Sequence, residues 1–313
     1  MKLVVIIPAY NEEKTVGEVV RSIPGIIPGF SERAIIVVND GSGDGTVLES
    51  ERAGARVVSH GRNRGLGNAF ATGIQAALGD GADIIVSIDA DGQFDAREIS
   101  KITAPIVGGE ADMVSGSRFL EPASRAAVPL MRRIGNYGFT KLVNSILGTR
   151  FSDTQCGFRA YNRQAAMRLN LFGDFTYTQE VFVDLFYKGM RIMEVPISVR
   201  YFKDRKAKIS SSLFRYMWRA FAVIFQTLRD KEPLKFFGIP GVFLLALGLI
   251  ADAYAFFFWL YTHVTTPIRM LFFVGTVLIG IGLILVIFAF LADMVKRVRE
   301  TQDDILFRLK QHR

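Results

Sequence analysis

Residues 84–93 have the sequence IIVSIDADGQ, in which four aliphatic residues and a serine lead directly to two carboxylates and an amide. A short apolar run of this kind predicts a buried strand. Asp89 and Asp91 follow this run, and Gln93 lies two residues further on. Hard oxygen ligands in this pattern suit a divalent cation of the Mg2+ or Mn2+ type, which would bridge a diphosphate. An ordinary Asp- and Gly-rich turn is the alternative explanation.

The first 120 residues alternate such β-branched runs with segments of helical period. This alternation predicts βαβ units on a mostly parallel sheet, in a doubly wound, Rossmann-like domain. Ligands bind at the carboxyl ends of the strands in such sheets, so the residues after each strand are candidate site residues. The predicted strands are Leu3–Ile7, Ala34–Val38, Arg56–Ser59, Asp83–Ile88, Asp112–Ser115 and Met193–Val199. Asp95 and Glu98 predict a capping box at the start of a helix.

Acids also follow two further predicted strands, in the segments PAYNE at 8–12 and NDGSGDGT at 39–46, and the second segment contains three glycines. An acid at such a position can accept hydrogen bonds from a ribose or a base, and glycines allow the backbone to approach a nucleotide. Turn geometry alone explains the glycines equally well. The chain has neither G-x-G-x-x-G after the first predicted strand nor G-x-x-x-x-G-K-S/T. A dinucleotide cofactor and a P-loop are therefore both disfavoured.

The net charge of +8 is unevenly distributed along the chain. Residues 1–199 carry 21 basic and 22 acidic side chains, whereas residues 200–235 carry ten basic and three acidic ones. Two apolar runs follow, at 236–261 and 268–292, and each is long enough to span a bilayer as a helix. The basic excess beside them indicates an anionic membrane surface as the partner and disfavours nucleic acid.

Positive charge flanks both outer ends of the apolar pair, while the connecting loop 262–267 has none. The positive-inside rule therefore predicts a helical hairpin with both ends in the cytoplasm. Asp252, inside the first run, is explained either by helix–helix packing, by a position near the bilayer edge or by a polar site. The glycines at 275, 280 and 282 are compatible with self-association into a homo-oligomer, a pattern also common in monomeric spans.

Seven motifs extend the carboxylate pattern over about two thirds of the chain. They are PAYNE at 8–12, VNDGS at 38–42, NRGLGNA at 63–69, DADGQ at 89–93, GSR at 116–118, DTQCGFR at 153–159 and EVPI at 194–197. In this order and spacing they resemble the family 2 glycosyltransferases, which have a GT-A fold. The resemblance is greatest to the dolichyl-phosphate mannose synthases and the bacterial polyprenyl-phosphate glycosyltransferases, which join this domain to interfacial and transmembrane helices.

The resemblance implies four segments. They are a GT-A domain over residues 1–210, an interfacial amphipathic helix over 211–235, two transmembrane helices within 236–292 and a cytoplasmic tail over 293–313. It also implies a multi-pass protein of the cell membrane, with its catalytic domain on the cytoplasmic face. Protein glycosylation and cell-envelope synthesis are the processes that such enzymes serve.

The resemblance also assigns site residues. The nucleotide-sugar positions are Pro8, Tyr10, Glu12, Asp40, Asp89, Ala90, Asp91, Gln93, Arg200 and Lys206, and the metal ligands are Asp89, Asp91 and Gln93. The catalytic positions are Asp91, Arg118 and Lys208. The basic segment departs from the family pattern of glycine-x-serine-lysine, because here it is Lys206-Ala207-Lys208. The candidates for the acceptor phosphate are Arg132, Arg133 and Asn136, and the two arginines fit contacts to solvent or lipid headgroups equally well.

The implied reaction is a metal-dependent, inverting transfer of a hexose from GDP-mannose or UDP-glucose, or a similar nucleotide sugar, to polyprenyl or dolichyl phosphate. Such an acceptor has a second pKa of about 6, so it is largely dianionic at neutral pH and needs no dedicated general base. The requirements are a Mg2+ or Mn2+ ion for the leaving diphosphate, cations that bring two anions together, and in-line positioning.

Two alternative functions remain. A processive polysaccharide synthase or another lipid glycosyltransferase of the superfamily generally carries Q-x-x-R-W, but here Gln226 and Arg229 are followed by Asp230. A non-catalytic membrane adaptor could keep the same nucleotide-binding fold. The intact Asp89 and Asp91 disfavour the adaptor.

Overall fold

The computed structural model describes residues 1–169, 177–201, 225, 229–266 and 268–311. The chain forms two compact units. One unit comprises Met1–Ala207 together with Phe307–Arg313, and the other comprises Lys208–Leu306. Most of the predicted interfacial helix over 211–235 lies outside the described residues.

The described part of the chain contains both strands and helices in alternation. The strands are β1 Lys2–Ala9, β2 Glu32–Asn39, β3 Arg56–Ser59, β4 Ile84–Ser87, β5 Met113–Ser117, β6 Arg159–Asn162 and β7 Ile192–Pro196. The helices are α1 Val16–Ser22, α2 Thr46–Arg52, α3 Leu66–Gly79, α4 Ile99–Val107, α5 Pro122–Ala127, α6 Leu130–Leu147, α7 Arg163–Arg168, α8 Tyr177–Tyr187, α9 Ile239–Thr262 and α10 Arg269–Gln311. A 3-10 turn precedes α4 at Ala96–Glu98, and a π-helical turn precedes α9 at Leu234–Gly238.

The strands form one sheet in the order β3-β2-β1-β4-β6-β5-β7. All neighbouring pairs are parallel except the two that involve β6, which runs antiparallel to β4 and to β5. The predicted α/β domain with a mostly parallel sheet is therefore confirmed. Since β1, β2 and β4 run in the same direction, their carboxyl ends meet at one edge of the sheet, where the predicted site segments begin.

The sheet is covered on both faces, which explains the apolar runs. Along β1, Leu3, Val5 and Ile7 pack in a core with α1 and α4. Val4 and Ile6 pack in a second core with α3 and α8. Full burial of each such side chain stabilises the fold by about 1.5–3 kcal/mol. The strand ends are thus fixed by packing on two sides.

The 3-10 turn shows one half of the predicted capping box. The Asp95 side chain accepts a hydrogen bond from the backbone N–H of Arg97, as an N-cap should. Glu98 does not complete the box, because its carboxylate accepts a hydrogen bond at 2.8 Å from the N–H of Ser198 instead. That part of the prediction is wrong, and the carboxylate joins two segments 100 residues apart.

Helices α9 and α10 belong to two stretches, Leu234–Thr262 and Arg269–Lys310, that are long and apolar enough to cross a membrane. Only 11% of the most apolar window of each is buried. Glycines lie where the two helices approach closely: a Cβ on Gly248 would be 2.6 Å from the carbonyl oxygen of Gly275. The Thr276 hydroxyl donates to Asp252 at 3.2 Å, so this carboxylate lies at the helix–helix contact.

The last turn of α10 belongs to the same unit as the sheet. The Lys310 ammonium donates hydrogen bonds to the carbonyl oxygens of Met167 and Leu169 at 3.0 and 3.3 Å. The Phe307 ring lies 4.4 Å from the guanidinium of Arg168. These contacts satisfy carbonyl groups at the end of α7, which a helix leaves without internal partners. The segment expected as a tail, 293–313, is helical as far as Gln311.

Candidate active site

Asp89 and Asp91 lie immediately beyond β4, both partly buried. The backbone N–H of Gln93 donates to Asp91 at 3.0 Å, which fixes the turn. Burial and the charge of Asp91 raise the pKa of Asp89 to about 7, against the opposing charges of Arg118 and Arg159. A bound cation would reduce the electrostatic repulsion between these two neighbouring acids.

The same pair fits a divalent cation by its chemistry. Among the described residues, no group of three or more His, Cys, Asp or Glu side chains is placed to hold a metal ion. Mg2+ is commonly held by one or two carboxylates, with water and substrate phosphates as its other ligands. Asp89 and Asp91 match that requirement, and Gln93 adds an amide oxygen to the same turn.

The segment 153–159 lies against the carboxylate of Asp89. A Cβ on Gly157 would be only 2.6 Å from Asp89 Oδ2, closer than side-chain atoms can approach. Arg159, at the start of β6, is fully buried, and its Nη2 donates to the carbonyl oxygen of Thr154 at 3.0 Å. The hydrogen bond from Arg159 therefore holds the segment in place, and Gly157 leaves space for the carboxylate of Asp89.

Arg118, just beyond β5, forms a two-point ion pair with Asp153. The Nε atom donates to Oδ2 at 2.7 Å and Nη2 donates to Oδ1 at 2.9 Å. Burial lowers the pKa of Arg118, but the charge and hydrogen bonds of Asp153 outweigh this effect and hold it well above its usual range. One edge of the guanidinium is thus occupied, which leaves the Nη1 edge for other partners.

Glu194, on β7, holds the backbone of the residue that pairs with Arg118. Its carboxylate accepts hydrogen bonds at 2.7 Å from the N–H groups of Ser152 and Asp153. Burial raises the pKa of Glu194 against these hydrogen bonds. The sequence pattern assigns no role to the EVPI motif. This contact shows that its acid positions the segment before Arg159.

Residues 199–201 run alongside the turn that carries Asp89, Asp91 and Gln93. Val199 bridges Phe94, and the N–H of Arg200 donates to the carbonyl oxygen of Gln93 at 2.8 Å. The backbone of Arg200 therefore lies beside the carboxylate turn, and its contact with a nucleotide sugar remains a prediction. Lys206 and Lys208, predicted to contact phosphate from the same basic segment, lie outside the described residues.

Tyr201 joins two predicted arginines and was missed in the sequence. Its hydroxyl accepts a hydrogen bond from Arg118 Nη1 at 3.4 Å. The Arg132 guanidinium carbon lies 5.1 Å from the centre of its ring. No pattern near Tyr201 signals this role, because its partners lie 83 and 69 residues earlier in the chain.

The three acceptor candidates lie on α6, two of them on one side of the helix. Arg132 is exposed, and Asn136 follows one turn later on the same side of the helix. Arg133 points about 100° further round. Asn136 is only 3% exposed, and its Nδ2 donates to the carbonyl oxygen of Ser152 at 3.3 Å. The structure thus places Arg132 in contact with Tyr201 and gives Asn136 a contact within the protein.

The predicted nucleotide positions lie at the ends of β1 and β2. Pro8 and Ala90 are buried, Glu12 is half-buried and Tyr10 is 42% exposed. The roles of these four residues remain predictions.

Asp40 is buried beyond β2, and its carboxylate organises the following loop. It accepts hydrogen bonds at 2.9 Å from the N–H groups of Arg64 and Gly65, and it contacts His60 Nδ1 at 2.8 Å. Asp40 thus holds the 60–65 loop at the strand edge, and its contact with a nucleotide remains a prediction.

The mostly parallel α/β sheet, with paired carboxylates directly beyond β4, is a GT-A-like fold. The family model described as glycosyl transferase family 2 matches residues 4–169, more than half of the chain. The chain belongs to this family and is a glycosyltransferase.

Known proteins resemble the chain at the level of sequence and of fold. An uncharacterized protein of Methanocaldococcus jannaschii is 33% identical over 233 residues, 74% of this chain and 92% of that protein. The UDP-N-acetylglucosamine–dolichyl-phosphate N-acetylglucosaminyltransferase of Methanococcus voltae is 34% identical over 177 residues, 51% of this chain and 69% of that enzyme. A solved structure of glucosyl-3-phosphoglycerate synthase from Mycobacterium tuberculosis superposes with a TM-score of 0.54 at 25% identity, over 72% of this chain and 79% of its own.

Proposed function

We propose that this glycosyltransferase transfers a hexose, with inversion, from a nucleotide sugar to the phosphate of a polyprenyl or dolichyl lipid. One observation carries the proposal. The unit that holds the carboxylate pair also holds two arginines, Arg118 and Arg132, which both contact Tyr201, and the same chain has two candidate membrane spans. The name of the Methanococcus voltae relative, which includes dolichyl phosphate as acceptor, supports the same reading.

Asp89, Asp91 and Gln93 would hold a Mg2+ or Mn2+ ion, which would stabilise the negative charge of the departing nucleoside diphosphate. Arg118 and Arg200 supply fixed positive charge beside that group. Because Asp153 and Glu194 hold Arg118 in place, its charge needs little reorganisation during the reaction.

The acceptor phosphate is already an anionic nucleophile at neutral pH, so the protein's task is to overcome repulsion between two anions and to align them. Arg132 is an exposed cation connected to Arg118 through Tyr201, which makes it the candidate to bind the acceptor phosphate. Both chain ends of the membrane hairpin are proposed to be cytoplasmic, which places the nucleotide sugar and the catalytic unit in the same compartment.

The test uses the full-length protein in detergent with Mn2+, undecaprenyl phosphate and a panel of radiolabelled UDP- and GDP-hexoses. The expected result is label in the organic phase, in a product released by mild acid and resistant to base, and its loss on removal of the cation. Reactions with undecaprenol in place of its phosphate are the matched control. Labelling of the alcohol but not the phosphate, or of no lipid by any donor, would contradict the proposal.

A further inference from the structure

Tyr201 lies between two arginines that the proposed function assigns to different substrates. Arg118 belongs to the donor side and Arg132 to the acceptor side. The tyrosine hydroxyl contacts Arg118 Nη1 at 3.4 Å, and its ring lies 5.1 Å from the guanidinium carbon of Arg132. A single side chain therefore contacts both cations through two chemically separate groups.

The contact with Arg118 orients the part of the guanidinium that the ion pair leaves available. Asp153 occupies Nε and Nη2, so Nη1 is the group directed elsewhere. Its partner, the Tyr201 hydroxyl, accepts this hydrogen bond and keeps its own proton for donation. A phenol in this position can add a neutral donor next to a phosphate without adding charge.

The contact with Arg132 is of a different kind. Arg132 is exposed on α6, and a long exposed arginine side chain loses conformational freedom when it is held in one position. A guanidinium over an aromatic face is attracted by the ring's negative face, and this limits where the charge can lie. The ring, not the hydroxyl, supplies this contact.

We propose that Tyr201 is a positioning residue that sets the Arg118 and Arg132 charges relative to each other, and so holds the donor diphosphate and the lipid phosphate in line. This inference rests on the proposed function, which assigns the two anions to the two arginines. The hydroxyl acts on the donor side and the ring acts on the acceptor side.

Two substitutions separate these halves. Tyr201→Phe keeps the ring beneath Arg132 and removes the hydroxyl from Arg118, whereas Tyr201→Leu removes both. The matched controls are Tyr137→Phe and Tyr137→Leu. Tyr137 is 68% exposed on α6 and also has a cation near its ring, with Lys141 Nζ 6.0 Å from the ring centre.

The measurement is isothermal titration of the full-length protein in detergent, with Mn2+ and UDP or GDP as one probe and farnesyl phosphate as the other. We expect Tyr201→Phe to weaken nucleotide binding about threefold and to leave farnesyl phosphate binding within about twofold. Tyr201→Leu should weaken both probes, farnesyl phosphate by about threefold to fivefold. Thermal unfolding midpoints should stay equal for wild type and Tyr201→Phe.

Unchanged binding of both probes in both Tyr201 variants would overturn the inference. So would equal losses in the Tyr137 variants, or parallel losses of both probes in Tyr201→Phe. Lipid labelling by the wild type is measured alongside. If the wild type binds both probes but labels no lipid, the proposed function fails while the affinities still decide the role of Tyr201. If it does not bind farnesyl phosphate, the acceptor half of the inference is overturned with it.

Discussion

The proposed donor side and the proposed acceptor side of the catalytic unit are built differently. Asp89 lies at the end of a buried strand, and a glycine at position 157 leaves room for its carboxylate where a Cβ would lie only 2.6 Å away. Arg132 lies exposed on a helix, held by one aromatic ring. The difference teaches that the proposed donor-side groups are held in place by packing, whereas the proposed acceptor-side arginine lies at the surface with one aromatic contact. Substitutions should therefore affect turnover on the first side and affinity on the second.

The largest effect is expected at the carboxylate pair. Asp91→Ala should lower the rate of transfer about a thousandfold, because it removes an oxygen ligand and a fixed charge where the leaving diphosphate lies. Initial rates with labelled donor measure this, and circular dichroism shows whether the protein stays folded. Asp95→Asn is the matched control, because the amide keeps the N-cap. Comparable losses in both variants would contradict a special role for Asp91.

The next effect is expected at the buried ion pair, which tests whether the donor side is held rigidly. Asp153→Asn should lower the free energy of unfolding by about 3 kcal/mol, because it leaves Arg118 buried without its counter-charge. Denaturant unfolding of the full-length protein measures the change. Asp112→Asn, which weakens an ion pair with the 57% exposed side chain of Arg191, should lose much less, because solvent screens that pair. Equal losses would show that burial does not distinguish the two pairs.

The pH dependence offers a third way to examine the carboxylate pair. Since the pKa of Asp89 is raised to about 7 in the folded protein, the unfolded protein binds fewer protons between about pH 4 and 7. The metal-free protein should therefore lose stability as pH rises through this window. Mn2+ requires the ionised acid, so its affinity should fall about tenfold between pH 6 and pH 5.

Titration calorimetry with Mn2+ and unfolding curves at several pH values measure these two dependences. Asp89→Asn should flatten the stability profile, because the amide does not titrate. A profile that keeps its slope in this variant would assign the titration to another group.

The smallest effect is expected on the acceptor side. Arg132→Ala should raise the KM for undecaprenyl phosphate about fivefold and leave kcat within about twofold, since the arginine is exposed and contributes modestly. Arg133→Ala should change either constant by less than about twofold, because it lies about 100° further round α6 than Arg132. Initial rates over a range of lipid concentrations distinguish the two arginines. A larger effect for Arg133 would reverse the assignment.

The strands β1 and β4 could be predicted because they are apolar and buried on both faces. The bounds of β3, Arg56–Ser59, are those that the sequence predicted. β6 was missed, since its four residues include a buried arginine and a terminal asparagine, and no β-branched residue. Its pairing with β4 and β5 is antiparallel, which a pattern of alternating strands and helices does not predict.

The site divides in the same way. Asp89, Asp91 and Gln93 could be predicted because one strand and one turn carry all three. Glu194 and Tyr201 could not be assigned roles, because their contacts join residues 41 to 83 positions apart. A local sequence pattern does not reveal contacts between residues so far apart in the chain. These side chains come together only when the domain folds.

The contact between Lys310 and the end of α7 matters for anyone who wishes to work with the catalytic unit in solution. Cutting the chain before the first apolar helix would remove the hydrophobic segments, and it would also remove Lys310 and Phe307. The carbonyl oxygens of Met167 and Leu169 would then lose their ammonium partner, and Arg168 its aromatic neighbour. A soluble variant is therefore better made by replacing residues 209–306 with a flexible linker, which keeps Lys208 and residues 307–311, so that the last helical turn can still dock.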